Sequence, residues 1–79
     1  MNDVLRSLMD KDAKAIMAFA ESNMRLTVAA GMLGIDYRTL DSRLNYIYKR
    51  SKLNPKKFRD LVELVRLVEE INNNDRYTG

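Results

Sequence analysis

The segment TVAAGMLGIDYRTLDSRL, Thr27 to Leu44, sets one glycine between two helical patterns, and this joint constrains the fold more than any other feature of the chain. A short helix from Arg25 or Leu26 to Leu33 stops at Gly34, because glycine adopts the positive φ that follows a helix end without a Cβ clash. Asp36 then caps the next helix almost at once. Two helices joined so tightly need small side chains where their backbones approach, and Ala29 and Ala30 supply them. Leu33, Ile35 and Leu40 fill the angle from inside. On spacing alone, an ordinary helical hairpin with a left-handed cap remains the alternative.

The rest of the 79-residue chain is also helical in character, with one Pro and three Gly among abundant Ala, Leu, Met, Glu, Lys and Arg. Asn2 or Asp3 caps a short first helix carrying Val4, Leu5, Leu8 and Met9. Asp10 or Asp12 opens a stretch with Ala13, Ile16, Met17 and Ala20 at helical spacing, either continuous with the first helix or separate from it. In the helix before Gly34, Val28, Ala29 and Met32 are expected to face inwards. The helix from Tyr37 to about Lys52 turns Leu40, Leu44, Ile47 and Tyr48 inwards and Arg38, Asp41, Ser42, Asn45 and Lys49 outwards. Asn54 caps a last helix with Pro55 at its first position, running to about Asn72. The expectation is an all-α fold, a small four- to five-helix bundle containing a helix-turn-helix at about residues 25–52. A single domain covers residues 1–72, and 73–79 form a flexible C-terminal tail.

Several functions are disfavoured by what the chain lacks. Without Cys there is neither a disulfide framework nor a thiolate metal site, and without His the usual general base and commonest metal ligand are missing. The acids near the N-terminus, Asp3, Asp10 and Asp12, and the late Glu residues sit at helix starts or on outer faces, where capping and solubility explain them. No enzyme, cofactor or metal is expected. No segment has the roughly 20 apolar residues of a membrane span, and none resembles a signal peptide. The expected location is cytoplasmic and nucleoid-associated, with no membrane partner.

The net charge of +3 is unevenly placed. From Arg25 to Arg59 there are nine basic residues against Asp36 and Asp41, a local balance of +7. The segments on either side are acidic, at −1 and −3. A field segregated in this way draws a polyanion to one face, although a solvated basic helix surface has the same composition.

The last helix carries two apolar stripes, Phe58, Val62 and Val65 beside Leu61, Leu64, Val68 and Ile71, with Leu67 widening the surface. One core-facing helix rarely needs so much. Leu61, Leu64, Leu67, Val68 and Ile71 are therefore expected to form a homodimer interface; the alternative is that both stripes pack within one chain.

The joint and the segment after it resemble the Fis-type helix-turn-helix group, and especially the C-terminal domain of PucR-like (purine catabolism regulator) transcription factors. Thr27, Ala29, Leu33, Ile35, Thr39, Leu40, Arg43 and Leu44 fall on that pattern, as does YKRSKLNPKKFRDLVELV, so the likeness spans roughly Ala13 to Val68. The sequence departs from it at Asp36, Tyr37 and Arg38, and Asp41 and Ser42 occupy positions often basic in the group. The resemblance implies a double-stranded DNA partner, transcriptional regulation, and a phosphate contact or helix cap for Thr39. The sensory domains that accompany such regulators are missing from the sequence, which leaves room for a larger regulatory partner protein.

When a helix-turn-helix docks, the N-terminal residues of its second helix meet base edges while the first helix crosses the backbone. Tyr37, Arg38, Asp41 and Ser42 are then the base-reading candidates, with Arg38 suited to guanine and Asp41 to a cytosine amino group. Thr27, at the start of the first helix, is placed to bind phosphate. Arg43, Lys49 and Lys52 join Thr27 and Thr39 as backbone contacts, with Lys56 and Lys57 adding sequence-independent affinity. Arg43 has a competing role, an ion pair with Asp60. Tyr46 and Tyr48 are expected to pack rather than to stack on bases. The second functional reading is a protein-interaction module on a degenerate helix-turn-helix, supported by Asp36 and Asp41.

Overall fold

The computed structural model describes the backbone of residues 10–78 and the side chains of residues 10–71. The first helix expected over Val4, Leu5, Leu8 and Met9 lies outside the described residues. Within them the chain forms four helices and no strand: α1 (Asp10–Glu21), α2 (Leu26–Leu33), α3 (Tyr37–Ser51) and α4 (Phe58–Thr78). The all-α expectation holds.

α1 begins with Asp10 and Asp12 in its first turn, where carboxylates favour the helix dipole. It is the hub of the fold, in close backbone contact with α2, α3 and α4. Ala15, Ile16, Ala18 and Phe19 are all buried, so the helix is covered around more of its circumference than its apolar spacing suggests. Alanine makes this possible, since its side chain lets neighbouring backbones approach from several directions. At its C-terminus Asn23 takes a left-handed conformation (φ 59°), its N–H donating to the Ala20 carbonyl at 3.1 Å while Met24 N–H reaches Phe19 at 2.8 Å. This is a Schellman closure with Asn in the usual glycine place. The buried hydroxyl of Ser22 accepts from Arg25 N–H at 3.2 Å and lies 2.9 Å from the Phe19 carbonyl, tying the turn into α2.

α2 buries Ala29 and Ala30, with Leu26 and Leu33 half-buried against the core. Val28 and Met32 do not turn inwards as expected; they are exposed, because the two alanines occupy the side that meets the neighbouring helices. α3 buries Leu40, Leu44, Ile47 and Ser51. The Ser51 hydroxyl accepts from Leu53 N–H at 3.0 Å and contacts the Ile47 carbonyl at 2.7 Å, fastening the end of α3 to the loop beyond.

The last helix departs from expectation at both ends. Asn54 does cap, accepting from Lys56 N–H at 3.0 Å, but it caps a tight turn in which Lys57 N–H returns to the Asn54 carbonyl at 2.9 Å. The helix itself starts at Phe58, and Asp60 in its first turn accepts from Asn54 N–H at 2.9 Å. At the far end α4 continues to Thr78 rather than stopping near Asn72. Nothing between Pro55 and Gly79 is a Gly or Pro that would interrupt it.

α4 makes its close backbone contacts with α1, through Leu61, Leu64 and Val68, which are 3%, 0% and 1% exposed. These three residues complete the intramolecular core with Ile16, Leu40, Leu44 and Ile47. Three of the five side chains expected at a dimer interface are thereby consumed within one chain. Leu67 and Ile71 are half-buried. The second stripe, Phe58 and Val62, is the exposed one, at 70% and 42%.

Candidate nucleic-acid interface

Three residues, Gly34 to Asp36, join α2 to α3. Gly34 has φ 68° and ψ 32°, its N–H donating to Gly31 at 3.2 Å, and Ile35 N–H donates to Ala30 at 3.0 Å. These paired bonds are again a Schellman closure. Asp36 remains extended and accepts from Arg38 N–H at 2.7 Å, so one acidic side chain starts α3 as soon as α2 has ended. Ala29, Ala30 and Leu40, all essentially buried, fill the space between the two helices, with Ile35 packed against the core beside them.

With Leu40, Leu44, Ile47 and Ser51 directed inwards, the helical period turns Arg38, Ser42, Asn45 and Lys49 to the opposite side, and all four are exposed. This polar strip runs the length of α3. Tyr37 is 48% exposed at its start. The Arg38 guanidinium lies back over the Tyr37 ring at 5.7 Å and sits 3.4 Å from an Asp36 carboxylate oxygen. Its side chain is still mostly solvated, so these contacts hold it only weakly and leave it able to extend towards a ligand.

Asp41 stands apart from the other base-reading candidates. It lies on the flank of α3, partly buried, and its carboxylate pairs with Lys56 from the turn before α4. Both acids of the basic middle segment thus have basic partners: Asp36 pairs with Arg38 and Asp41 with Lys56. The other seven basic residues from Arg25 to Arg59 form no ion pair among the described residues.

Thr39 and Arg43 lie on the flank of α3 opposite Asp41 and, with Ser42 and Tyr46, line a depression that Lys11 and the buried Asp12 close from the α1 side. Arg43 does not pair with Asp60, whose carboxylate is used by Asn54. At the C-terminal end of α3, Tyr48, Lys49 and Lys52 surround a second depression. Thr27 is exposed in the first turn of α2, where Arg25 supplies no side-chain cap.

Tyr46 and Tyr48 correct the expectation that they pack. They are 49% and 45% exposed. Tyr46 accepts from Arg50 at 2.6 Å, and the Arg50 guanidinium sits 5.3 Å from its ring centroid. The i, i+4 spacing of Tyr46 and Arg50 is visible in the sequence and signals such a surface pair. Lys56 carries no such signal, because it lies 15 positions from Asp41.

Among the described residues no group of acidic side chains is placed to hold a metal ion, and no helix is long and apolar enough to cross a membrane. Comparison with protein-family models, curated proteins and solved structures finds no match to this chain.

Proposed function

We propose that this chain is a double-stranded DNA-binding protein that presents α2 and α3 as a helix-turn-helix, with α3 entering the major groove. The observation that carries this reading is the uneven charge of the segment that holds α2 and α3: both acids between Arg25 and Arg59 are paired, and seven of the segment's basic side chains form no ion pair among the described residues. In this reading Tyr37, Arg38 and Ser42 approach base edges, Arg38 having the fork geometry that guanine accepts. Asn45, one turn beyond, joins them as an adenine-matching amide. Thr27, Thr39, Arg43, Lys49 and Lys52 contact the phosphates, Thr27 at a helix start whose flanking residue gives no side-chain cap. The biological role that goes with such binding is transcriptional regulation at the nucleoid, with any effector sensed by a partner protein.

The competing interaction-module reading drew support from Asp36 and Asp41. Both have local duties instead, as a helix cap and as the counter-ion of Lys56. Binding to fluorescent duplexes of random and genomic sequence, titrated across salt, tests the proposal. Micromolar binding at low salt is expected, with log affinity falling against log salt at a slope of about −4.5 if about five phosphates are neutralised. Absence of binding at low salt, or affinity independent of salt, overturns it.

A further inference from the structure

Among the described residues, Phe58 and Val62 of α4 are left exposed at the place where the helix faces the end of α1, beside Val65, which is partly buried against the core. Phe58, Val62 and Val65 form one wall of a groove of about 530 Å³, and Ala20 and Met24 form the other. Phe58 is the most exposed large apolar side chain among the described residues, and it lies one and two helical turns from Val62 and Val65 on the same side. Leaving Phe58 and Val62 in water forgoes roughly 25 cal/mol for every Å² of apolar surface that a partner would cover. The groove sits on α4, away from the polar strip of α3, and does not depend on whether that strip binds DNA.

We propose that the occupant is a second copy of this chain, docked through α4 in antiparallel, two-fold symmetric fashion. The charge along α4 selects both the partner and its direction. Ahead of and within the first turn stand Lys57 and Arg59, with Lys56 paired to Asp41 and Asp60 engaged by Asn54 N–H; Glu63 and Arg66 form a pair of their own in the next turns, and Glu69 and Glu70 follow beyond them. Antiparallel pairing sets the basic end of each helix against the acidic end of its partner, whereas parallel pairing sets like against like. The groove itself ends at Glu69 and is edged by Arg66. With the two-fold axis between positions 63 and 64, Val62 of each copy meets Val65 of the other, and Glu69 reaches the Phe58–Arg59 turn. An isologous contact requires such self-complementarity, and antiparallel helix dipoles favour it further.

This interface uses the stripe beside the one that sequence periodicity selects. Leu64 and Val68 are fully buried in the core, and Leu61, 3% exposed, contributes only to the floor of the groove.

The test is sedimentation equilibrium of the full chain without DNA, from micromolar to millimolar concentration. The expected mass is twice the 9.2 kDa of the chain at the upper end. Val62→Arg should weaken association at least tenfold while helix content and melting temperature, measured at monomeric concentration, stay near the wild-type values. Arg59→Glu and Glu69→Lys should each weaken association, and the double variant should recover it, because the exchanged charges again face each other across the two-fold axis. A wild-type chain that remains monomeric throughout overturns the proposal, including the case in which residues 1–9 of the same chain fill the groove. A dimer that survives Val62→Arg overturns it as well, and charge variants without mutual recovery overturn the antiparallel arrangement.

Discussion

Lys56, in the turn before α4, pairs with the carboxylate of Asp41 on the flank of α3, and so joins the helix proposed to read DNA to the start of the last helix. Their side chains are 42% and 38% exposed, so the pair is a screened surface contact worth at most about 1 kcal/mol in stability. Its larger consequence is electrostatic: a carboxylate that would repel phosphate is answered locally by an ammonium.

Asp41→Asn should therefore tighten binding to all duplexes alike, by roughly two- to threefold, or about 0.5 kcal/mol. Sequence preference should not change. Competition binding with a panel of single-base-pair variants checks this, and a preference altered at one position would restore Asp41 as a base reader.

Arg38 and Lys49 lie on the same exposed strip of α3 and are expected to behave differently. Arg38→Ala should cost about 1–3 kcal/mol on the preferred duplex and little on others, relaxing discrimination at one position. Arg38→Lys should not rescue it, since an ammonium cannot reproduce the planar fork. Lys49→Ala should weaken every duplex similarly and reduce the salt slope by about 1. Equal losses on all sequences for Arg38→Ala would show that it contacts only the backbone.

Gly34 is the joint between α2 and α3, and its φ of 68° is the reason it is glycine. A Cβ built there meets nothing within 4 Å, so the cost of Gly34→Ala is conformational rather than steric. The expected loss is about 1 kcal/mol on chemical denaturation, with Gly34→Asn losing less. A loss above about 3 kcal/mol would mean that the turn depends on more than its backbone angles.

Lys52 ends α3 at φ 67°, a left-handed conformation costly for a residue with a Cβ. Lys52→Gly relieves a strain of about 1–2 kcal/mol and returns part of it through the more flexible unfolded chain, for a net gain of about 0.5–1 kcal/mol. Lys52→Ala keeps the strain and should not stabilise. Thermal melts of the two variants separate the contributions. If Lys52 contacts phosphate as proposed, both should lose DNA affinity to a similar extent, because each removes that contact.

Much of the fold is legible in local chemistry. The end of α2 at Gly34, the start of α3 at Asp36 and the inward stripe of Leu40, Leu44 and Ile47 follow from backbone preference and helical period, which involve only neighbouring residues. The N-terminus of α4 was less legible because Asn54 and Pro55 satisfy the rules for a helix start equally well when they close a tight turn, and the hydrogen bond from Asn54 N–H to Asp60 accompanies the turn. The site was legible as a face and not as a set of roles. Arg38, Ser42 and Lys49 are exposed where the helical period places them, while Asp41 and Tyr46 took partners that residue types alone do not reveal.

The apolar surfaces mark where sequence alone stops. In α4, Phe58, Val62 and Val65 satisfy the same spacing as Leu61, Leu64 and Val68, and a period of 3.6 cannot rank two adjacent stripes. The position of α1 ranks them: α1 covers the leucine-rich stripe and leaves Phe58 and Val62 of the other exposed. In α2 the same ambiguity is resolved in favour of Ala29 and Ala30, because close approach of two backbones rewards small side chains over large ones, leaving Val28 and Met32 outside. Helix identity, caps and the tight joint are properties of short segments and were determined by the sequence itself. Which face is buried and which charge is answered depend on groups far apart in the chain, and only tertiary packing decides them.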